Sequence, residues 1–519
     1  MKHHEYDAIV IGSGFGGAMI AHRLSEQGLK VAIIERGDWV SRGPENWSKT
    51  GSIDLTPNYD KSVPYEVHKG GNKKQMGVYS AVGGPSLFYG GVSFRFREED
   101  FYPPEEIVSG SNAQWPIDYN ALEKYYDQAE QLLQIAGESG IDPTEPHRNF
   151  PFPFAAAPYA SVSLKIKEAA QSLGLKPFHL PLAINYFNGA RPVCQLCTTC
   201  DTYTCAIGAK NDLETMILDA ARKNRTIDIY ANTIVHTLKA NHGKVEGVYC
   251  IDKITNEDVR FHAAYVVVSA GALASPHLIL NSELEKLNPA GHIVGRYLMR
   301  HINSIVFGVF PHVADQQNRF HKEMAIMDFY FGHKDIAYPT SKLGSLQQVP
   351  TPGKGLVEDA LPNPLGKIVA QGVKYITGLL AIAEDQPQYK NHIRVDKVQI
   401  SNFNLGTPIV WHEYSARDKA AVLALIKPAK DIMKKAGALF SYVHHIRTFS
   451  HSAGTIRMGD DERYSPLDKN CNFRGVENLY VVDACFMPTS SAVNPSLTIA
   501  ANALRVGDHI GSLYNRKVN

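Results

Sequence analysis

The sequence predicts an α/β fold with two domains, and three features of the chain support this. The chain begins with the order strand, glycine-rich turn, helix and strand between Tyr6 and Ile34. Short apolar strands recur much later, at Tyr265–Ser269 and Leu479–Asp483. Between about His301 and Phe449 the sequence becomes irregular and rich in His and aromatic residues. That change of texture indicates a second domain within the 519 residues.

The first elements follow from hydrophobic spacing. Tyr6–Ile11 is mostly apolar and ends in β-branched residues, as a buried strand does. Gly12–Gly17 is a glycine-rich turn, and Ala18–Gln27 has helical apolar spacing. Gly28 ends that helix, and Lys30–Ile34 is the second strand.

The same reasoning assigns the later elements. Strands are predicted at Ile227–Leu238, Val245–Cys250, Tyr265–Ser269 and Leu479–Asp483. Helices are predicted at Asp118–Ala136, Ala416–Ala436 and Pro495–Leu513. Arg42–Gly77 is rich in Gly, Pro, Asn and Lys, so it is predicted to be a loop.

The charge balance excludes some partners. The chain has 53 Lys and Arg against 52 Asp and Glu, a net charge of +1, with no block of like charge. This argues against nucleic acid or an anionic membrane as the main partner. The N-terminus lacks the features of a signal peptide, and the apolar stretch Ala263–Leu280 is broken by Ser, Pro and His. We therefore expect no membrane span and a cytoplasmic location.

The N-terminal turn carries a dinucleotide-binding motif. Gly12 permits the tight turn, Gly14 lets a pyrophosphate approach the backbone, and Gly17 lets the helix pack on the strand. Glu35 lies at the end of the second strand, where an acid can bond ribose hydroxyls. The strand–helix context makes the motif specific for a dinucleotide, but it does not separate NAD from FAD.

The C-terminal motifs separate these cofactors. The segment HSAGTIRMG runs from His451 to Gly459, and NPSLT runs from Asn494 to Thr498. With VGGPS from Val82 and VGRYL from Val294, this order resembles the glucose–methanol–choline (GMC) family of FAD oxidoreductases. Within that family, the chain is most similar to bacterial sugar oxidoreductases and pyranose oxidase.

The resemblance implies a discontinuous Rossmann-like FAD-binding domain and a substrate domain with a sheet and helices. The FAD-binding domain would comprise residues 1–101, 214–301 and 448–519. An insert with a helix and a Cys-rich loop would occupy 102–213, and the substrate domain 302–447. The residues expected to contact FAD are Gly12, Gly14, Phe15, Gly17, Glu35, Arg36, Gly84, Ser86, Val235, Ala270, Gly271, Asp483 and Pro495.

The resemblance also implies the catalytic pair. His451 matches the family's catalytic histidine, and Asn494 matches the partner that hydrogen-bonds the substrate hydroxyl. Hydride leaves an alcohol carbon readily only if the hydroxyl proton is also removed, and a neutral imidazole can accept that proton. Asn494 has a second interpretation, as an N-cap before a proline at the first helical position. Asp483 could likewise be a simple turn residue.

One position predicts how FAD is held. Some family members attach FAD covalently through a histidine, and the matching position here is Phe88. A phenyl ring cannot form that bond, so we expect non-covalent FAD.

Four cysteines, Cys194, Cys197, Cys200 and Cys205, lie within a short polar segment. This run approaches a ferredoxin-type spacing, although its last gap is longer by one residue. Some bacterial sugar dehydrogenases that resemble this family carry an iron–sulfur cluster in a Cys-rich insert with a different spacing. The four residues could therefore bind a cluster or another metal, remain as unligated thiols, or form a disulfide.

The expected function is FAD-dependent oxidation of a small-molecule alcohol, with a sugar, glycoside or cyclitol as the substrate. Alternatives are an oxidoreductase acting on a sterol or another apolar alcohol, and a non-redox flavin lyase of the same family. An NAD-dependent dehydrogenase built on a similar βαβ unit is a further rival. The electron acceptor stays open between oxygen, a quinone and a redox protein.

Overall fold

The structure is a computed structural model that describes residues 2–48, 56, 58–69, 72–187, 189–319, 322–360 and 363–518. Its strands are β1 (Lys2–Ile11), β2 (Val31–Ile34), β3 (Tyr59–Lys69), β4 (Asn72–Tyr79), β5 (Ala136–Gly137), β6 (Phe154–Ala155), β7 (Phe178–His179), β8 (Ile227–Tyr230), β9 (Thr233–Asn241), β10 (Lys244–Asp252), β11 (Asp258–Val268), β12 (Ile302–Val309), β13 (Met324–Ile326), β14 (Gly344–Val349), β15 (Ile376–Ala383), β16 (His392–Ile400), β17 (Gly406–Trp411), β18 (Phe440–His445) and β19 (Leu479–Val481). Its helices are α1 (Phe15–Glu26), α2 (Glu105–Val108), α3 (Asn120–Leu132), α4 (Ser161–Ser172), α5 (Asp219–Asn224), α6 (Ala274–Asn281), α7 (Lys354–Ala360), α8 (Leu365–Gln371), α9 (Ala416–Lys435) and α10 (Ser496–Val518).

The largest sheet of the described residues has seven strands and joins distant parts of the chain. Strands β8, β2, β1, β11 and β19 run parallel, and β10 and β9 extend the sheet in antiparallel pairing. Ile11 pairs with Val268, and Val268 pairs with Val481. The carboxyl ends of β1, β11 and β19 therefore meet at one edge, which is where ligands bind in open α/β sheets.

Buried apolar residues explain why these elements assemble. Ala8, Ile9 and Val10 on β1 are fully buried, as are Val267 and Val268 on β11. Strands that are buried on both faces read as continuous apolar runs, because helices cover the sheet on each side. Helix α10 packs on α1 and α3, so the C-terminus closes the domain that the N-terminus begins.

The second domain is built on an antiparallel sheet. Within the described ranges, six strands follow the order β18, β12, β15, β14, β13 and β7. The two faces of β14 differ: Leu346 packs in the core with α9 and α4, whereas Gln347 points to the segment that contains Asn494. This sheet with helices confirms the predicted fold class.

Two segments lie differently from their predictions. The segment Arg42–Gly77 was predicted as a loop, but its described part contains β3 and most of β4, which pair antiparallel. β3 also pairs in parallel with β17, so this hairpin completes a sheet. The outer strand β4 is polar and exposed over its first half, so its sequence lacks the apolar alternation that indicates a strand. Residues 49–55, 57 and 70–71 lie outside the described residues. Strand β7 and helix α4 come from residues 102–213 but pack with the sheet of residues 302–447.

The helix ends also shift from the predicted positions. α1 begins at Phe15 rather than Ala18, because the glycine turn feeds directly into the helix. α10 begins at Ser496 and extends to Val518, beyond the predicted end at Leu513. Among the described residues, no helix combines the length and the apolarity needed to span a bilayer.

Candidate active site

The glycine turn after β1 forms an open backbone cradle. Gly12 has a φ of 96°, which favours glycine, and a Cβ at Gly17 would lie 1.9 Å from the Gly12 carbonyl oxygen. Gly14 is the N-cap of α1 and has no side-chain cap. The nearest atom to a Cβ on Gly14 would be Pro85 Cδ at 3.9 Å, so space remains above the helix start. A phosphate can occupy such a position because the first helical N–H groups lack partners.

Glu35 is placed beside this turn. The carboxylate accepts hydrogen bonds from Ser13 N at 3.0 Å, Ser13 Oγ at 2.7 Å and Gly37 N at 2.9 Å. These bonds orient it at the end of β2, where the sequence predicted a ribose contact. The guanidinium of Arg36 turns away to an ion pair with Asp60 at 3.1 Å.

The second predicted cofactor segment reaches the same place. Gly84 has a φ of 57°, and a Cβ there would lie 3.0 Å from Gly14 Cα. The two glycine turns thus approach each other backbone to backbone. The buried hydroxyl of Ser86 donates to the Gly83 carbonyl and accepts from Leu213 N, so it stabilises the turn. Phe15 packs edge-on against Tyr89 at 5.3 Å between ring centres.

The third and fourth predicted cofactor segments, around Gly271 and Asp483, complete the edge of the sheet where β1, β11 and β19 end. Gly271 has a φ of 92°, and nothing lies within 4 Å of where its Cβ would be. Asp483 accepts from Gly271 N at 3.0 Å and from Ser275 Oγ at 2.5 Å. Burial is the main effect that raises the pKa of Asp483. Asp483 therefore connects the two segments, and Ala270 N donates to the same Ser275 hydroxyl.

Val235 lies buried on β9, and Pro495 is buried just before α10.

These observations fit a bound adenine dinucleotide. Open space stands above Gly14 and Gly271, and only glycine leaves the backbone this accessible. An oriented carboxylate, Glu35, lies next to it. The cradle is made by residues near 12–17, 35, 84–86, 271 and 483, which are the segments the sequence analysis selected.

The two predicted catalytic side chains lie together. Asn494 Nδ2 is 3.4 Å from His451 Nε2. Gln347 Nε2 donates to Asn494 Oδ1 at 2.9 Å, which fixes the amide so that its NH₂ group faces the imidazole. Asn494 makes no side-chain bond to α10, which begins at Ser496. The contacts of the Asn494 amide with Gln347 and His451 place both of its ends inside the site.

A second histidine adjoins the first. His301 Nδ1 lies 3.1 Å from His451 Nδ1, and the rings are nearly perpendicular. His301 Nε2 lies 3.2 Å from the Ser490 carbonyl oxygen. Both histidines have positive φ values, 56° and 60°, and such backbone strain in non-glycine residues clusters at functional sites.

Asp385 hydrogen-bonds to the backbone of His301 and to neighbouring groups. Its carboxylate accepts from Arg300 N at 2.8 Å, His301 N at 3.0 Å and Ser490 Oγ at 3.2 Å. His412 Nε2 lies 3.3 Å from the same group. Burial alone would raise the pKa of Asp385, but the hydrogen bond with His412, the interaction with His301 and the backbone N–H of Arg300 lower it. The carboxylate stays charged and ties β12, β15 and the segment of Ser490 together.

The electrostatics keep His451 neutral. Burial lowers the pKa of His451 to about 3, and the electrostatic interactions with His301 and Lys322 act in the same direction. Lys322 is 5% exposed and pairs with Asp201 at 2.6 Å. A neutral imidazole at pH 7 has a lone pair that can take a proton.

The cysteine run is not arranged as a metal-binding group within the residues that the structure describes. In the described structure Cys194, Cys197, Cys200 and Cys205 are free thiols, and no cluster of three or more His, Cys, Asp or Glu residues could hold a metal ion. Burial raises the pKa of Cys194 to about 11 and also raises that of Cys200. The structure thus gives no support to the metal interpretation or to a disulfide.

A buried lysine orders this loop instead. Lys210 is 1% exposed, and its Nζ donates to the carbonyls of Tyr89 at 2.9 Å, Cys200 at 3.0 Å and Tyr203 at 2.7 Å. Sequence reasoning selected Cys200 but missed Lys210, because a lone lysine has no distinguishing pattern.

Sequence reasoning also missed Gln347, Asp385 and Lys322. They lie in the segment 302–447, where neither spacing nor resemblance gave a signal. His301 stood at the end of the VGRYL segment and could have been found there.

The fold and site together define a dinucleotide-dependent oxidoreductase with a histidine–asparagine pair.

Comparison with known proteins identifies the family. The N-terminal model described as GMC oxidoreductase matches residues 6–303, and the C-terminal model of the same description matches residues 387–503. The chain belongs to the GMC oxidoreductase family. It is an FAD-dependent oxidoreductase that acts on CH–OH groups.

Characterised relatives extend over the whole chain. It is 30% identical to paromamine 6'-oxidase from Streptomyces fradiae, over 98% of this chain and 92% of that protein. It is 25% identical to the fructose dehydrogenase large subunit from Gluconobacter japonicus, over 97% of both chains.

Solved structures share the fold at lower identity. Pyridoxine 4-oxidase from Mesorbium loti has a TM-score of 0.67 and 18% identity, over 97% of this chain and 98% of that one. A formate oxidase variant from Aspergillus oryzae has a TM-score of 0.70 and 15% identity, over 99% of this chain and 100% of that one.

Proposed function

We propose that the protein oxidises an alcohol group of a sugar, glycoside or cyclitol, with His451 as the base and Asn494 as the residue that orients the hydroxyl. The observation that carries this proposal is the pair itself, with Asn494 Nδ2 and His451 Nε2 3.4 Å apart. That distance is long for a hydrogen bond, and a hydroxyl oxygen could bridge the two nitrogens. The oxygen would accept from Asn494, and its proton would point at His451.

The reaction then balances in two transfers. The hydroxyl proton passes to His451 Nε2, and the O–H electron pair forms the second bond of the new carbonyl. FAD, when bound, supplies the acceptor for the hydride that leaves the carbon. The low pKa of His451 supports this role, because the imidazole enters the step unprotonated at neutral pH.

Residues of the cradle would hold the cofactor. The helix start at Gly14 is suited to the pyrophosphate, and Glu35 to the ribose hydroxyls. Phe88 is 3% exposed and packs against Tyr79, with 5.2 Å between ring centres. Since no histidine stands at this position, we propose that FAD is bound non-covalently.

Polar groups around the pair favour a polyhydroxylated substrate over a sterol. Gln347 is fully buried, and its Oε1 has no hydrogen-bond partner among the described residues. The Lys322–Asp201 ion pair acts on the same histidine. A buried polar group without a partner destabilises a protein, so the free Oε1 of Gln347 favours a ligand that can donate a hydrogen bond. A hydroxyl-rich ligand therefore suits these surroundings better than an apolar ring system. The relatives named as paromamine 6'-oxidase and fructose dehydrogenase support the same class.

Anaerobic flavin reduction tests the proposal. The purified holoprotein would be mixed with hexoses, glycosides, cyclitols, a sterol and a long-chain alcohol, and flavin absorbance would be followed. We expect bleaching by at least one polyhydroxylated compound and none by the sterol. Bleaching by the sterol alone would overturn the substrate class. A flavin that none of the hexoses, glycosides and cyclitols reduces would also contradict the proposed substrate class.

A further inference from the structure

The Ser490 carbonyl determines which nitrogen of His301 carries a proton. A carbonyl oxygen only accepts hydrogen bonds, so the atom 3.2 Å away, His301 Nε2, must be protonated. His301 is 1% exposed, and burial is the main cause that lowers its pKa, so the ring is neutral. A neutral imidazole has one N–H, and His301 Nδ1 is therefore an acceptor.

This assignment extends to His451. Its Nδ1 lies 3.1 Å from the acceptor Nδ1 of His301, so His451 Nδ1 must donate. His451 Nε2 then carries a lone pair, and Asn494 Nδ2 faces it. Gln347 donates to the other end of the same amide. In each of the four contacts the donor lies on the Gln347 side. Gln347 donates to Asn494, Asn494 to His451, His451 to His301, and His301 to the Ser490 carbonyl.

We propose that His301 is a positioning residue that selects the tautomer of His451 with its proton on Nδ1, leaving Nε2 free to accept the proton of the alcohol. The inference rests on the proposed function of His451 as the base. His301 does not contact the substrate in this scheme; it acts through His451. The opposite tautomer would place a proton on Nε2 and block the step.

The backbone places the two rings opposite each other. Met299 and Ala453 exchange both backbone hydrogen bonds, at 3.0 and 2.9 Å, in an antiparallel bridge. His301 follows Met299 by two residues and His451 precedes Ala453 by two, so the antiparallel register brings them face to face. Asp385 then holds the backbone N–H groups of Arg300 and His301.

The charges around the pair are consistent with two neutral rings. Asp385 and Asp100 act on His301 and favour its cation, but burial outweighs them. Lys322 acts on His451 and opposes its cation. A protonated His301 would offer a donor to His451 Nδ1 and would lose the acceptor.

Ring nitrogen NMR tests the tautomer directly. Holoprotein labelled with ¹⁵N in the histidine rings would be compared with His451→Gln to assign the His451 signals. We expect Nδ1 of His451 to be protonated and Nε2 to be unprotonated. A proton on Nε2 would overturn the proposal, whether or not His451 proves to be the base.

Three variants test the kinetic consequence. His301→Leu removes the acceptor, and we expect the flavin reduction rate to fall roughly 10- to 10³-fold with FAD retained and little change in KM. His301→Asn replaces Nδ1 by an amide oxygen at about the same position, and we expect it to restore the rate to within about fivefold of the parent. His412→Leu removes a different buried histidine that contacts Asp385, and separates general loosening from loss of the acceptor.

Equal rates in His301→Leu and His301→Asn would overturn the tautomer role. If His451→Ala also reduced its flavin at the parent rate, the proposed function itself would fail.

Discussion

Gln347 donates a hydrogen bond from Nε2 to Asn494 Oδ1 at 2.9 Å, and so determines which end of the Asn494 amide faces His451. Gln347 lies on a strand of the substrate-domain sheet, whereas Asn494 precedes the last helix of the FAD-binding domain. The orientation of a side chain in one domain therefore depends on the other.

Gln347→Leu should slow flavin reduction roughly 5-fold, since one buried hydrogen bond contributes about 1 kcal/mol to the preferred amide orientation. The adjacent Gln348 provides a matched control. It is equally buried but faces Ser163 on the opposite side of the sheet. Gln348→Leu should lower stability and leave the reduction rate close to that of the parent. Stopped-flow absorbance checks both, and equal slowing in the two variants would contradict the orienting role.

His451→Ala should retain FAD and reduce its flavin about 10²–10⁴ times more slowly, because a positioned general base usually contributes that factor. His312→Ala, at an exposed loop position, serves as the control. The flavin content is read from the visible spectrum, and the rate from anaerobic mixing with substrate. A variant that bleaches as fast as the parent would show that another group removes the proton.

The stability of the protein should fall between pH 6.5 and 4 partly because of His277. Burial lowers the pKa of this histidine to about 4 from an ordinary value of 6.5, although its bond to the Gly406 carbonyl opposes the shift. In that window the unfolded chain binds a proton that the folded chain does not, so acid favours unfolding. The contribution is complete above pH 6.5 and decreases by about 3 kcal/mol toward pH 4.

His277→Gln separates this effect from the other titrations. Glutamine keeps an N–H donor for the Gly406 carbonyl but does not titrate. The free energy of unfolding, measured by urea denaturation at several pH values, should therefore fall less steeply in the variant, by about 1.4 kcal/mol per pH unit. Identical slopes in parent and variant would rule out His277 as a source.

Lys210→Met should destabilise the cysteine-containing loop by about 3 kcal/mol, because three buried carbonyls lose a charged donor. Lys427→Met, at an exposed position on α9, controls for the loss of a lysine. Thermal unfolding gives the overall change, and the rate of thiol labelling at Cys200 reports the loop itself. Slow labelling in both variants would mean that other contacts order the loop.

Acid precipitation should release the flavin into the supernatant, since we match Phe88 to the position where some family members attach FAD. The pellet of the parent protein should be colourless. Flavin fluorescence in the two fractions provides the measurement, and yellow material that stays with the pellet would indicate a covalent bond at another residue.

The sequence predicted the FAD-binding domain better than the substrate domain, for a physical reason. Gly12, Gly14 and Glu35 act through backbone conformation and a fixed spacing, so local sequence encodes them. Strands such as β1 and β11 are buried on both faces and therefore have unmistakable apolar runs. The β3–β4 hairpin was missed because its outer strand alternates weakly and has exposed lysines.

The pairing of His451 with Asn494 was predicted by resemblance, and the residues that support the pair were not. Gln347, Asp385 and His301 reach the pair from three different segments, and only the packing of the two domains brings them together. Nothing in the residues flanking Gln347 or Asp385 indicates that partner. The cysteine run illustrates the converse, since its spacing suggested a ligand set and the described residues show four free thiols.

The pairing of β11 with β19 has a consequence for how the protein is made. Asp483 reaches Gly271 across 212 positions of sequence. At about 5–20 residues per second, a ribosome takes roughly 10–40 s to translate that stretch. During this time the apolar edge of β11 lacks its final partner, and the nucleotide cradle lacks one of its walls. We therefore expect fragments that end before Asp483 to bind FAD poorly.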